Sequence, residues 1–111
     1  MNNLSDIRPK TVKLKLDKER SLRYNLNALA LIEERYGDIQ KAVAEAQNGK
    51  VTIVRTLLWA GLVHEDKDLT EEQVGEMVDI SDLERVATAI SQAFSAAMPK
   101  PDSKNGNRAT R

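Results

Sequence analysis

Leu57-Leu58-Trp59-Ala60-Gly61-Leu62-Val63-His64-Glu65-Asp66, followed at once by Lys67-Asp68-Leu69-Thr70-Glu71-Glu72-Gln73-Val74, joins an apolar segment through an acidic turn to a second helix start. Within Val51 to Val63, the residues Val54, Leu57, Leu58, Gly61 and Leu62 recur at i, i+3, i+4, i+7 and i+8. That spacing predicts the central helix of the fold. The stretch from Leu57 to Asp66 holds the only tryptophan and the only histidine of the chain. Thr70 and Gln73 have the spacing of a capping box, in which each side chain satisfies a backbone N–H of the other, and Val74, Met77 and Val78 follow as its apolar positions. Ser81 and Glu84 repeat the pattern before a last helix marked by Leu83, Val86, Ala87, Ile90, Ala93 or Phe94, and Ala97. Pro99 and Pro101 should stop that helix near Met98.

Upstream of the central helix the pattern changes period. From Thr11 to Leu16 apolar and charged residues alternate, with Val12, Leu14 and Leu16 on one face and Lys13 and Lys15 on the other, as in a half-buried strand. The lysines also blunt an exposed sheet edge. Asp17-Lys18-Glu19-Arg20 reads as a four-residue charged turn. Leu22, Tyr24 and Leu26 then alternate again, so a β-hairpin is expected. A helical stripe of Leu29, Ile32 and Tyr36 takes over, capped by Asn25 or Asn27 and ended by Gly37 in a left-handed conformation. Asp38 caps a shorter, alanine-rich helix from Ile39 to about Gln47, closed by Asn48-Gly49. The expected fold is therefore α+β and mostly α: a hairpin followed by about five short helices in one domain, residues 11–98. Residues 1–10 are expected to be a flexible arm and residues 99–111 a disordered tail, since neither carries a recurring apolar pattern.

Composition excludes several function classes. The chain has 111 residues, 17 Lys plus Arg and 17 Asp plus Glu, which suits one domain with a modest core and gives no global attraction to nucleic acid or anionic membrane. There is no cysteine, hence no thiolate nucleophile, disulfide or cysteine-based zinc site. No apolar run approaches the roughly 20 residues of a transmembrane helix, and the start lacks the basic and apolar regions of a signal peptide. A soluble protein kept inside the cell is the expectation.

The residues that could do chemistry lack partners. His64 lies near Glu65, Asp66 and Asp68, but there is no second histidine and no loop of calcium-binding spacing, so His64 reads as a solvated helix end. Glu33-Glu34 and Glu71-Glu72 are adjacent in sequence, so on a helix they diverge by ~100° and cannot flank one bond; both read as solvated faces. No Gly-x-Ser-x-Gly elbow and no phosphate-binding glycine loop is present, and Gly61 and Gly75 read as points of close helix approach. Lys10, Lys13, Lys15, Lys18, Arg20 and Arg23 make the hairpin the basic patch of the chain. With aromatic residues at 4 % and no basic recognition helix, that patch reads first as a solubilising face and only second as a nucleic-acid site. A non-enzymatic binding module with no cofactor and no metal is expected. Trp59 reads either as core or as a partly exposed partner anchor.

The run Tyr24-Asn25-Leu26-Asn27-Ala28-Leu29-Ala30-Leu31-Ile32-Glu33-Glu34-Arg35-Tyr36-Gly37, then Leu57 to Leu62 with His64-Glu65-Asp66, then Leu69-Thr70-Glu71-Glu72-Gln73-Val74-Gly75, resembles the tail assembly chaperones of long-tailed bacteriophages and prophages. The resemblance spans about Thr11 to Phe94. It implies a protein that binds the long, helical tape measure protein in the cytoplasm of the bacterial host, keeps it soluble and promotes polymerisation of tail tube protein around it. It also implies absence from the mature virion and, through a programmed frameshift, a longer form that recruits tube protein. Trp59, Leu62, Val63 and Met77 are the residues expected to contribute to client binding, and self-association stays open. The competing readings are a small tail-completion or connector protein of the virion and a nucleic-acid-binding regulator using the hairpin.

Overall fold

A computed structural model describes residues 10–98; the expected arm and tail therefore lie, apart from Lys10, outside the described residues. The chain runs β1 (Val12–Lys15), β2 (Glu19–Leu22), α1 (Leu26–Tyr36), α2 (Ile39–Gln47), α3 (Val51–Leu62), α4 (Glu71–Glu76), a 3₁₀ turn (Ile80–Asp82) and α5 (Leu83–Ala97). It is a mostly helical α+β fold with an N-terminal antiparallel hairpin, as the alternation and the helical periodicities predict.

In the hairpin, Val12 pairs with Leu22, Lys13 with Ser21, Leu14 with Arg20 and Lys15 with Glu19. The loop is thus Leu16 to Lys18, shorter than the expected four residues, because Glu19 and Arg20 belong to β2. Arg20 is only 6 % exposed. Its guanidinium folds back in a bidentate pair with Asp17, Nε to Oδ1 at 2.9 Å and Nη2 to Oδ2 at 2.8 Å. This neutralises the charge while the aliphatic stem lies on the core face beside Leu14. Leu22 and Tyr24 are buried as expected, but Leu26 is 81 % exposed, since it is the first residue of α1 and no longer follows the strand period.

Asn25 is the N-cap of α1, its Oδ1 accepting from the Ala28 N–H at 2.9 Å; Asn27 lies inside the helix. The buried face centres on Ala28 and Ile32, with Leu29 half-buried and Tyr36 at the margin. The stripe is rotated toward Ala28 because α1 packs on both α2 and α3. Gly37 ends the helix at φ 79°, where a side chain would be strained. Asp38 caps α2 through the Lys41 N–H, and the helix buries Ala42 and Ala46, whose small side chains permit close packing.

α3 is the hub, in contact with α1, α2, α4, α5 and β2. The predicted stripe is buried in full, and Ile53, Thr56 and Ala60 are buried as well, so the helix is enclosed on most of its circumference. Tyr24 shows how tightly the hairpin closes on it: the phenol donates to the Leu57 carbonyl at 2.6 Å and its ring stacks on Phe94 with centroids 4.1 Å apart. Burial raises the pKa of that phenol, so it stays a neutral donor. Gly61 is the counterpart of this packing. A Cβ there would sit 2.8 Å from Leu22 Cδ2 and 2.9 Å from Tyr24 Cζ, so the close approach is of helix to hairpin rather than of helix to helix.

The Thr70–Gln73 capping box forms reciprocally at the start of α4. The second one does not. Ser81 lies inside the 3₁₀ turn, so it lacks the extended backbone an N-cap needs, and α5 starts after Asp82 without a side-chain cap bond. α5 buries Val86, Ala89, Ile90, Ala93 and Phe94 and ends at Met98, with Leu83, Ala87 and Ala97 at the edges of that face.

Candidate functional site

Between α3, α4 and the start of α5 the surface opens into a cleft of about 90 Å³. Val51, Val54 and Leu58, one turn apart along α3, form its floor. Val74 and Val78 form one wall, and Ile80, Leu83 and Val86 the other. Arg55 and Asp79 are the charged residues of its lining. The opening exists because the α4 backbone packs on α3 and comes no nearer than 8 Å, Cα to Cα, to α5, so the 3₁₀ turn spans the gap between them. The volume is far below the roughly 300–1,000 Å³ of small-molecule sites. It is large enough for one inserted aliphatic or aromatic side chain.

Two of the exposed large hydrophobics stand on this cleft: Ile80, 74 % exposed, and Val51, 53 % exposed. A lone exposed apolar side chain needs no explanation. Here both are continuous with an apolar depression, which turns scattered exposure into a patch.

Beside the cleft, α4 is tied down by a polar network. The Trp59 Nε1–H donates to the Leu69 carbonyl at 2.8 Å, and the Arg35 guanidinium lies 4.9 Å from the Trp59 ring centroid. Arg35 also pairs with one oxygen of Glu71, while the Thr56 hydroxyl donates to the other. Tyr36 donates in turn to Thr56 Oγ1 at 3.2 Å. Burial raises the Glu71 carboxyl, but the bonds from Thr56 and Arg35 together outweigh it and leave the pKa below the ordinary glutamate value. Glu71 is thus a half-buried anchor, not the solvated residue its neighbour Glu72 is. The sequence hid it because its partners come from α1 and α3, 36 and 15 residues away.

Of the four residues singled out from the sequence, Trp59, Leu62 and Val63 fall within one turn at the end of α3, and Met77 ends α4. Trp59 is half-buried with its donor used internally. Val63 is the half-buried C-cap of α3, and Met77 the half-buried C-cap of α4, packed against the core. Leu62 is a correction: it is fully buried, because it lies on the core side of the last turn of α3, where Trp59 is the half-buried residue. The exposed residues of the cleft, Val51 and Ile80, were missed. Ile80 stands between two helical patterns and was counted in neither, although an isoleucine in a loop of Asp79 and Ser81 is itself a signal of surface hydrophobicity.

His64 is exposed, and its Nε2 donates to the Ser21 carbonyl at 2.8 Å, pinning the outer edge of β2 to the end of α3. The basic hairpin patch loses Arg20 to Asp17. Among the described residues, no group of three or more histidine, cysteine or acidic side chains gathers in the manner of a metal site, and no helix is long and apolar enough to cross a membrane. No protein-family model, curated protein or solved structure matches this chain.

Proposed function

We propose that the chain is a phage or prophage tail assembly chaperone that seats an apolar helix face of the tape measure protein in the cleft between α3, α4 and α5. The observation that carries the reading is the apolar cleft flanked by exposed Ile80 and Val51. Amphipathic helices are recognised by such grooves through apolar anchors one turn apart, without the polar groups that orient a small ligand. The motif resemblance supplies the identity of the client. In this reading the protein is not an enzyme. It acts in the cytoplasm of the bacterial host, covers the client until tail tube protein polymerises around it, and leaves before the virion is complete; a frameshift-extended form would recruit the tube protein.

The test is capture of tape measure fragments by the wild-type chain and by the double variant Val51→Glu, Ile80→Glu. Both side chains are exposed, so folding stability should change by no more than about 0.5 kcal/mol for each. Capture should weaken by at least about tenfold, since two apolar anchors worth roughly 1.5 kcal/mol or more each are lost. Undiminished capture by the variant would move the site elsewhere, and failure of the wild-type chain to capture any fragment would remove the chaperone reading.

A further inference from the structure

Along another face of α5, the outer edge of β1 borders an open groove of about 360 Å³. The hydrogen-bond parity of the hairpin fixes what this edge offers. In an antiparallel pair the N–H and C=O of one residue point the same way, and alternate residues point inward and outward. The Ser21 carbonyl accepts from His64 and the Arg23 N–H donates to the Gly61 carbonyl, so Ser21 of β2 and Arg23 just beyond the strand point away from β1. Ser21 is paired with Lys13 and Glu19 with Lys15. Lys13 and Lys15 therefore point their backbone groups away from β2 as well. The Lys15 carbonyl confirms the parity, since it accepts from Arg85 Nη1 at 3.0 Å. The outer edge of β2 is thus taken up by the end of α3. On β1, the Lys13 N–H, the Lys13 carbonyl and the Lys15 N–H have no partner among the described residues.

We infer that this edge is a second docking site, which adds an extended partner segment carrying acidic residues in alternation with apolar or β-branched ones as a third strand. The sign of the charge selects the occupant. The groove lining carries Lys13 and Lys15, together with Arg85, whose charge is shared with Asp82 at 3.6 Å; its other polar side chains are Thr88 and Gln92. A second copy pairing edge to edge through β1 would set lysines against lysines, and like charges directly opposite destabilise a pair. The same lysines that exclude a copy attract glutamate or aspartate at the facing positions. The backbone supplies affinity and the side chains supply selection, as in other cases of strand addition. This site shares no residue with the α3–α4–α5 cleft and does not rest on the client assigned to it.

The test uses a fluorescent peptide of roughly eight residues that alternates glutamate with threonine and valine, titrated with the full chain and followed by anisotropy. Saturable binding that weakens with added salt is expected. Lys13→Pro removes only an outward N–H, which an edge strand tolerates, and should weaken binding by at least about tenfold with the melting temperature and far-ultraviolet spectrum retained. Lys13→Glu with Lys15→Glu should exchange the preference for a lysine-alternating peptide. Binding that survives Lys13→Pro, an unchanged charge preference, or no binding to the wild-type chain overturns the proposal. So does binding that appears only after residues 1–9 are deleted, which would make that segment the occupant, or a dimer in sedimentation that Lys13→Pro dissolves.

Discussion

The hairpin and α4 both close on α3, and they do so by different means. Around Gly61 the contact is one of shape: Leu22 and Tyr24 fill the space that a Cβ would occupy, and the Tyr24 phenol reaches the backbone of the preceding turn. α4 instead rests on two buried side chains, Leu69 and Val74, together with polar ties from Trp59, Thr56 and Arg35. A shape contact answers steeply to added volume and little to pH. A polar tether answers to charge, and it leaves a gap beside it, which is where the cleft lies.

Gly61→Ala should break the shape contact with the largest effect. Helix propensity favours alanine by about 1 kcal/mol, but the new methyl would meet Leu22 and Tyr24 at 2.8–3.0 Å. Neither neighbour can yield, because Leu22 is fully buried and Tyr24 is fixed by its hydrogen bond and by Phe94. Overpacking of this kind costs about 1–3 kcal/mol, so after the propensity gain a net loss of up to about 2 kcal/mol in urea or thermal unfolding is expected. A variant more stable than wild type would show that the hairpin shifts freely.

Glu71→Gln addresses the tether. Charge-assisted bonds in a half-buried site contribute about 1 kcal/mol, so a loss of that order is expected at neutral pH. Because the folded-state pKa of Glu71 is depressed, its contribution is complete above the unfolded value of about 4.3 and disappears as pH falls through the lower folded value. Wild type and variant should therefore differ at pH 7 and converge in acid. Asp17, held down chiefly by its hydrogen bond from Arg20, has the same sign and leaves a residual acid slope in the variant. Parallel stability curves down to acid pH would remove Glu71 from the tether.

What was legible in the sequence follows the same division. α2, the stripe of α3 and the Thr70 capping box depend on residues within a turn or two of each other, and their periodicity declares them. Arg20 and Glu71 depend on surroundings: each is a charged residue in a charged run whose burial is decided by the element packed over it. The Ser81 box failed for the related reason that side-chain spacing does not specify backbone conformation. The cleft was hidden because it is made by the separation of the α4 and α5 backbones, and the spacing of apolar residues along one helix carries no record of a gap between two others.

Gly75→Ala is the gentlest probe of the comparison and isolates helix propensity from packing. Gly75 is exposed in α4, and the nearest atom to an added Cβ is Arg55 Cδ at 3.2 Å. Unlike the ring of Tyr24, that atom belongs to a flexible, exposed side chain, which can move by a few tenths of an ångström at little cost. The gain in propensity, up to about 1 kcal/mol, should then prevail, and the variant should be slightly more stable in chemical denaturation where Gly61→Ala is less so. The added methyl also borders the cleft. If the cleft accepts a partner side chain, the stabilised variant should bind the client more weakly than wild type. Stability and capture would move in opposite directions at Gly75, whereas at Gly61, which does not line the cleft, capture should follow stability alone.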